Sequence, residues 1–126
     1  MPLSTYNALA WAIENRLPLA CAYEGHHREI CPIILGHSDG REKVLVYQTG
    51  GSTSRGPLRK PDWKCFEVSG IGDIEPLDGP WQIGGRHSQT QTCVRDVDYD
   101  VNEASPYDPR HSLGRLSGAA IEGIGA

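Results

Sequence analysis

Tyr6, Leu9, Ile13 and Leu17 recur at three- and four-residue intervals behind Ser4 and Thr5, either of which can cap a helix. Glu14-Asn15-Arg16 is polar and Pro18 ends the run, so the spacing predicts one amphipathic helix over about residues 5–16. Three turns of helix are marginal alone, and the apolar stripe therefore needs a sheet to lie on. From Leu19 the period shortens. Leu19–Tyr23 and Ile30–Leu35 flank Glu24-Gly25-His26-His27, which predicts a β-hairpin with a glycine at its turn. Ser38-Asp39-Gly40 is a second reversal, and the unbroken run Val44-Leu45-Val46-Tyr47 reads as a strand covered on both faces. Residues Gly50–Pro61 read as a long loop, Trp63–Val68 as a fourth strand and Ile71–Ile74 as a short fifth strand or a single turn. One helix ahead of five short strands predicts a mainly β fold, a small barrel with the helix plugging one end.

The last third has a different pattern. Pro76–Gln91 holds three Gly and two Pro and reads as an irregular crossing. Val97, Tyr99 and Val101 then alternate with Asp96, Asp98 and Asp100, predicting a half-buried strand within about 92–102. The three aspartates alternate with apolar residues and lack the curved, glycine-bearing loop of a calcium site, so they read as the solvated face of an edge strand. Beyond Pro106 and Pro109 the Gly/Ala-rich end, 114–126, has little to bury and is expected to be mobile. The division is thus residues 1–81 as helix plus barrel, and 82–126 as an extension with one strand and a trailing tail.

A length of 126 residues suits one domain, and 15 Gly with 9 Pro fit short strands and many turns better than a helical bundle. No apolar stretch approaches the roughly 18 residues of a membrane helix, and the N-terminus lacks the pattern of a signal peptide. The expectation is a cytoplasmic chain whose four cysteines are thiols. The net charge of −4 opposes duplex DNA binding by bulk electrostatics. Charge is uneven, however. Residues 41–64 carry six bases against two acids, whereas 95–126 carry six acids against three bases. A local basic loop on an acidic protein can hold a small anion.

Candidate chemistry narrows quickly. Cys21, His26, His27 and Cys31 fall close together, but lack the paired spacings of structural zinc, and read as packed thiols and wet turn histidines. No Ser stands in a nucleophile elbow and no phosphate-loop pattern occurs, so neither catalysis nor a metal or other cofactor is expected. The basic segment remains. Arg55 lies on the loop between the strands of Tyr47 and Trp63, and Lys64 follows Trp63 directly. Arg28 faces the same region if it pairs with Tyr23 across the first hairpin. Arg28, Arg55 and Lys64 are the candidate anion holders, with Tyr23, Tyr47 and Trp63 as stacking or lining groups for a phosphate or nucleobase.

Ala12-Ile13, then Leu19-x-x-x-Tyr23, Arg28, Pro32 and Leu35-Gly36, resemble the opening of the WYL domain. Trp63-Lys64-x-Phe66-x-Val68-x-x-Ile71 resembles its closing motif, so the resemblance covers about residues 8–81. The tripeptide that names the family would fall at Lys43-Val44-Leu45, where only Leu is kept, and Lys64 stands where an Arg is usual. The resemblance implies an Sm-like, SH3-type barrel acting as a sensor or regulatory module for a nucleic-acid-like or other anionic ligand. It also selects Tyr23, Arg28 and Lys64 as site residues. The expected partners are a small anionic ligand or a single-stranded oligonucleotide. The competing expectation is an assembly protein whose tail strand pairs with a second copy to form a homodimer.

The pattern makes the strand at 92–102 part of the fold and the end dispensable. Ending the chain at residue 111 should leave the melting temperature nearly unchanged, whereas ending it at 91 should lower it or change the oligomer, as read by thermal denaturation and size-exclusion chromatography.

Overall fold

The structure, a computed structural model, describes residues 4–81, 91–102, 105–107 and 109–110. Helix α1 (Thr5–Asn15) starts at Ser4, whose Oγ accepts a 3.1 Å bond from the Asn7 N–H. It ends at Arg16 in the left-handed conformation (φ 50°), whose N–H turns back to the Ala12 and Ile13 carbonyls before Pro18. Leu9, Ala10, Ala12 and Ile13 form its buried face.

The strands follow as β1 (Leu19–Tyr23), β2 (His26–Ser38), β3 (Arg41–Thr53), β4 (Gly56–Pro57), β5 (Asp62–Glu67), β6 (Ile71–Pro76) and β7 (Asp96–Asp100). A 3₁₀ turn, Val68–Gly70, joins β5 to β6. Every pairing is antiparallel, in the order β6-β1-β2-β3-β5, with β4 folding back on the end of β3 and β7 added to β2. The sheet curls into a half-barrel, and α1 lies against β2, β6 and β7. Leu9, Ile13, Leu19, Ile30, Leu35 and Val46 lie in the core between them.

Strands β2 and β3 outrun the apolar windows that announced them. Their polar ends stay in the ladder because each faces a partner: Arg28 opposite Gly51, and Ser38 opposite Arg41 across the Asp39-Gly40 turn. Much of the segment expected as a loop is therefore sheet, with Ser52 and Thr53 paired to Pro57 and Gly56. Gly51 makes this continuation feasible. At φ 89° it occupies a region that other residues avoid, and a Cβ there would collide with the His27 carbonyl and the Arg28 Cα.

The C-terminal strand corrects two expectations. The aspartates are not a solvated face, because Asp98 and Asp100 are buried, at 5% and 4% exposure, and only Asp96 is open. Asp98 is tolerated because its carboxylate ties three segments together. Tyr6 of α1 donates a short bond to Oδ2, His37 Nδ1 of β2 lies 3.2 Å from the same oxygen, and Arg110 Nε is 3.4 Å from Oδ1. Burial and the Asp98 carboxylate hold the Tyr6 phenol well above its ordinary pKa, so it remains a donor. Nor are all four cysteines thiols. Cys65 on β5 is bonded to Cys93, with Cα atoms 5.6 Å apart, while Cys21 and Cys31 are buried outside the disulfide. Sequence spacing hid this pair, because only the return of the chain across the sheet brings its members together. Gly36 lets β7 approach: a Cβ there would run into the Asp96 carbonyl oxygen and Val94 Cγ1. Most of the crossing, 82–90, and the tail, 111–126, lie outside the described residues.

On α1, Ile13 is fully buried, whereas both Glu14 carboxylate oxygens are enclosed without a hydrogen-bond partner. Burial raises the Glu14 pKa, so its ionisation opposes folding, a penalty absent below about 4.5 that grows as pH rises. In chemical denaturation, Ile13→Ala should cost about 2–5 kcal/mol. Glu14→Ala should lose little, and its stability relative to wild type should improve from pH 4 to pH 7.

Candidate functional site

Alternation along paired strands decides which side chains meet. Cys21 lies opposite Arg28, Ile30 opposite Gln48, Val46 opposite Lys64 and Val44 opposite Phe66. Directly opposed residues share a face, so Tyr23, Arg28, Gln48, Lys64 and Phe66 all project to the concave side of the half-barrel. They line one end of it together with the β3–β4 turn. The resulting cleft, about 420 Å³, is bounded by Tyr23, Glu24, Arg28, Arg55, Lys64 and Phe66, with Thr53, Ser54 and Cys65 completing the wall.

Arg28 is the floor of this cleft and is 4% exposed. Its Nε donates to the Tyr23 carbonyl at 3.4 Å and its Nη1 to Gln48 Oε1 at 3.3 Å. Gln48, fully buried, is oriented in turn by donating from Nε2 to the Gly50 and Ser52 carbonyls, both at 3.0 Å. Tyr23 and Phe66 stack with ring centroids 3.9 Å apart, and the guanidinium carbon lies 5.3 Å and 5.0 Å from those centroids, within cation–π range. The Tyr23 hydroxyl accepts from the Glu67 N–H at 3.0 Å, which fixes the ring. Among the described residues the carboxylate that reaches Arg28 is Glu24, 3.9 Å from Nη2, on a side chain that is mostly solvated.

Two further cations stand above this floor. Arg55 is exposed on the turn and makes no ion pair among the described residues. Its position is set by Thr53, whose Oγ1 accepts from the Arg55 N–H and donates to the Gly56 carbonyl. Lys64 reaches the cleft from β5, with Asp62 3.8 Å from its Nζ.

The structure therefore brings together Tyr23, Arg28, Arg55 and Lys64 of the six residues singled out by sequence. Tyr47 and Trp63 are placed elsewhere. They lie opposite each other in register, one residue out of phase with the cleft, and their rings meet at 5.2 Å on the other side of the sheet. Sequence reasoning passed over Gln48 and Glu24. Gln48 carried one signal, its position two residues beyond Val46 on the inward phase of β3. Cys21 lies beneath Arg28, and burial pushes its thiol up to about 11 despite that nearby charge, so at neutral pH it is not a nucleophilic thiolate. Among the described residues, no group of three or more His, Cys, Asp or Glu side chains is arranged to hold a metal.

The chain matches no family model, no curated protein and no solved structure.

An arginine buried without a buried counter-charge is a poor stabiliser, because desolvation of its cation is offset by neutral acceptors, two rings and a solvated carboxylate at 3.9 Å. Arg28→Met removes the desolvated cation but also leaves the buried Gln48 Oε1 without its donor, so in urea denaturation it should lose less than Gln48→Leu. Gln48→Leu should lose about 1–3 kcal/mol, since it strands the Gly50 and Ser52 carbonyls and the guanidinium. A loss with Arg28→Met as large as that with Gln48→Leu would make Arg28 a structural strut instead.

Proposed function

We propose that the chain is a non-catalytic, WYL-like ligand-binding and regulatory module, taking an anionic or nucleic-acid-like ligand in the cleft above Arg28. The observation that carries the reading is the Arg28 guanidinium itself. It is buried on a cleft that Arg55 and Lys64 also line, yet the carboxylate that reaches it among the described residues, Glu24, is exposed and 3.9 Å away. Such a cation is stabilised best by an anion that arrives from solvent. The cleft volume is within the range of small-ligand sites. Support for a small Sm-like, SH3-type barrel comes from the strand order β6-β1-β2-β3-β5, the 3₁₀ turn between β5 and β6, and the helix against the curled sheet. The residues quoted for the WYL resemblance contribute Tyr23, Arg28, Lys64 and Phe66 to this one site.

Two or three charge-assisted contacts, less the cost of association, predict affinity of about micromolar at best. In a titration with labelled short single-stranded oligonucleotides and with a nucleotide at two salt concentrations, binding should weaken as salt rises, and duplex DNA should bind worse. Combining Arg28→Ala with Arg55→Ala should abolish it. Wild-type protein that binds no anion, or a double variant that binds equally well, would remove the site.

A further inference from the structure

We infer that the cleft selects a terminal phosphate, a phosphomonoester or diphosphate end carrying close to two negative charges, rather than a nucleobase stacked on an aromatic ring. The inference rests on the anion-binding reading above and narrows it to one chemical group. Its first support is the use already made of the rings. Phe66 is buried, Tyr23 has Phe66 stacked on one face at 3.9 Å, and the Gly70 backbone is packed so closely that a Cβ there would lie 3.0 Å from Tyr23 Cε1. Tyr47 and Trp63 pair with each other on the other side of the sheet. The cleft therefore offers no open ring face of the kind on which single-stranded binders seat their bases.

The second support is charge. Arg28, Arg55 and Lys64 against Glu24 leave the lining two positive charges in excess, and Asp62, 3.8 Å from Lys64 Nζ, lies outside the lining on a mostly solvated side chain. A phosphomonoester carries −1.5 to −2 at neutral pH, which balances that excess, whereas a phosphodiester within a strand carries only one negative charge. The third is donor geometry. A guanidinium has five N–H donors, and within the described residues hydrogen bonds engage those to Tyr23 O and Gln48 Oε1, so Nη2 and one Nη1 N–H of this cleft-lining side chain carry no hydrogen bond there. Phosphate oxygens satisfy such a fork bidentately. Glu24 is the competing anion. It sits on the exposed turn at φ 52°, 3.9 Å from Nη2, and an incoming phosphate displaces it at small cost because its side chain is already mostly solvated.

Calorimetric titration of the intact chain with inorganic pyrophosphate, and with two oligothymidylates of equal length, one 5′-phosphorylated and one ending in a 5′-hydroxyl, tests the inference. Pyrophosphate should bind, and the phosphorylated oligomer should bind about tenfold tighter than its hydroxyl counterpart. Glu24→Gln should tighten pyrophosphate binding severalfold by removing the competing carboxylate, and Arg55→Gln should weaken it about tenfold; both positions are exposed, so neither variant threatens folding. Pyrophosphate binding with no binding of either oligomer would assign the site to free phosphate compounds and keep the inference, whereas pyrophosphate binding with equal binding of both oligomers would overturn it. Equal binding of both oligomers without pyrophosphate binding would overturn it while leaving an anion or nucleic-acid site in place. No binding by any of the three would overturn the anion-binding reading as well.

Discussion

Strand β2 carries thirteen residues, but β1 pairs with it only from His26 to Ile30. The rest of that edge would present unpaired backbone groups beside a buried core, and a buried N–H or carbonyl without a partner costs about 1–3 kcal/mol. Strand β7 removes the problem by pairing from Ile34 to His37, after which the chain continues along β2 with the Val101 N–H donating to the Ile33 carbonyl at 2.9 Å. Much else follows from this docking. Asp98 and Asp100 are carried inward, Tyr6 and His37 converge on Asp98, and Ser38 bonds both the Cys93 carbonyl and the Arg95 N–H. The disulfide then ties the segment ahead of β7 to β5, so the C-terminal part of the chain is anchored on both long strands of the sheet or their neighbours.

The opposite end of the same two strands is organised around a buried cation. There β2 and β3 come so close that only Gly51 fits opposite Arg28, and the guanidinium is sealed from the sides by Tyr23, Phe66 and Gln48 while remaining open to the cleft. A core of neutral side chains would be cheaper in free energy than a lone buried cation. Such a position is the physical ground on which the proposed reading of the cleft rests. The disulfide bears on this site as well as on the tail. Cys65 sits between Lys64 and Phe66 and forms part of the wall, so the strand that presents the cation is held from its outer face.

Much of the fold was legible because local rules suffice for it. Ser4, the apolar stripe and Pro18 mark the bounds of α1 locally, even though its stability comes from the sheet, and Glu24-Gly25 and Asp39-Gly40 mark two reversals by the positive φ they adopt. The longer extent of β2 and β3 was not legible, since polar residues such as Gln48 and Arg28 enter a sheet only when a partner strand and a buried acceptor await them. Arg55 stands out as a candidate anion holder by its place in the basic loop, whereas the resemblance selects Arg28 and Lys64. Tyr47 and Trp63 looked equally suited, and a one-residue difference in strand phase separates them from the cleft.

By itself the sequence determined the helix, the turns, the alternating strand at the C-terminal end and the concentration of basic residues between 41 and 64. Those features depend on neighbours a few residues apart, through capping, periodicity and backbone preference. Only the tertiary structure decided that Asp98 is buried, that Cys65 meets Cys93, and that Tyr23, Phe66 and Gln48 surround Arg28. Each of these depends on strand register and on chain segments separated by tens of residues, and register is set by the packing of the whole sheet rather than by any local stretch.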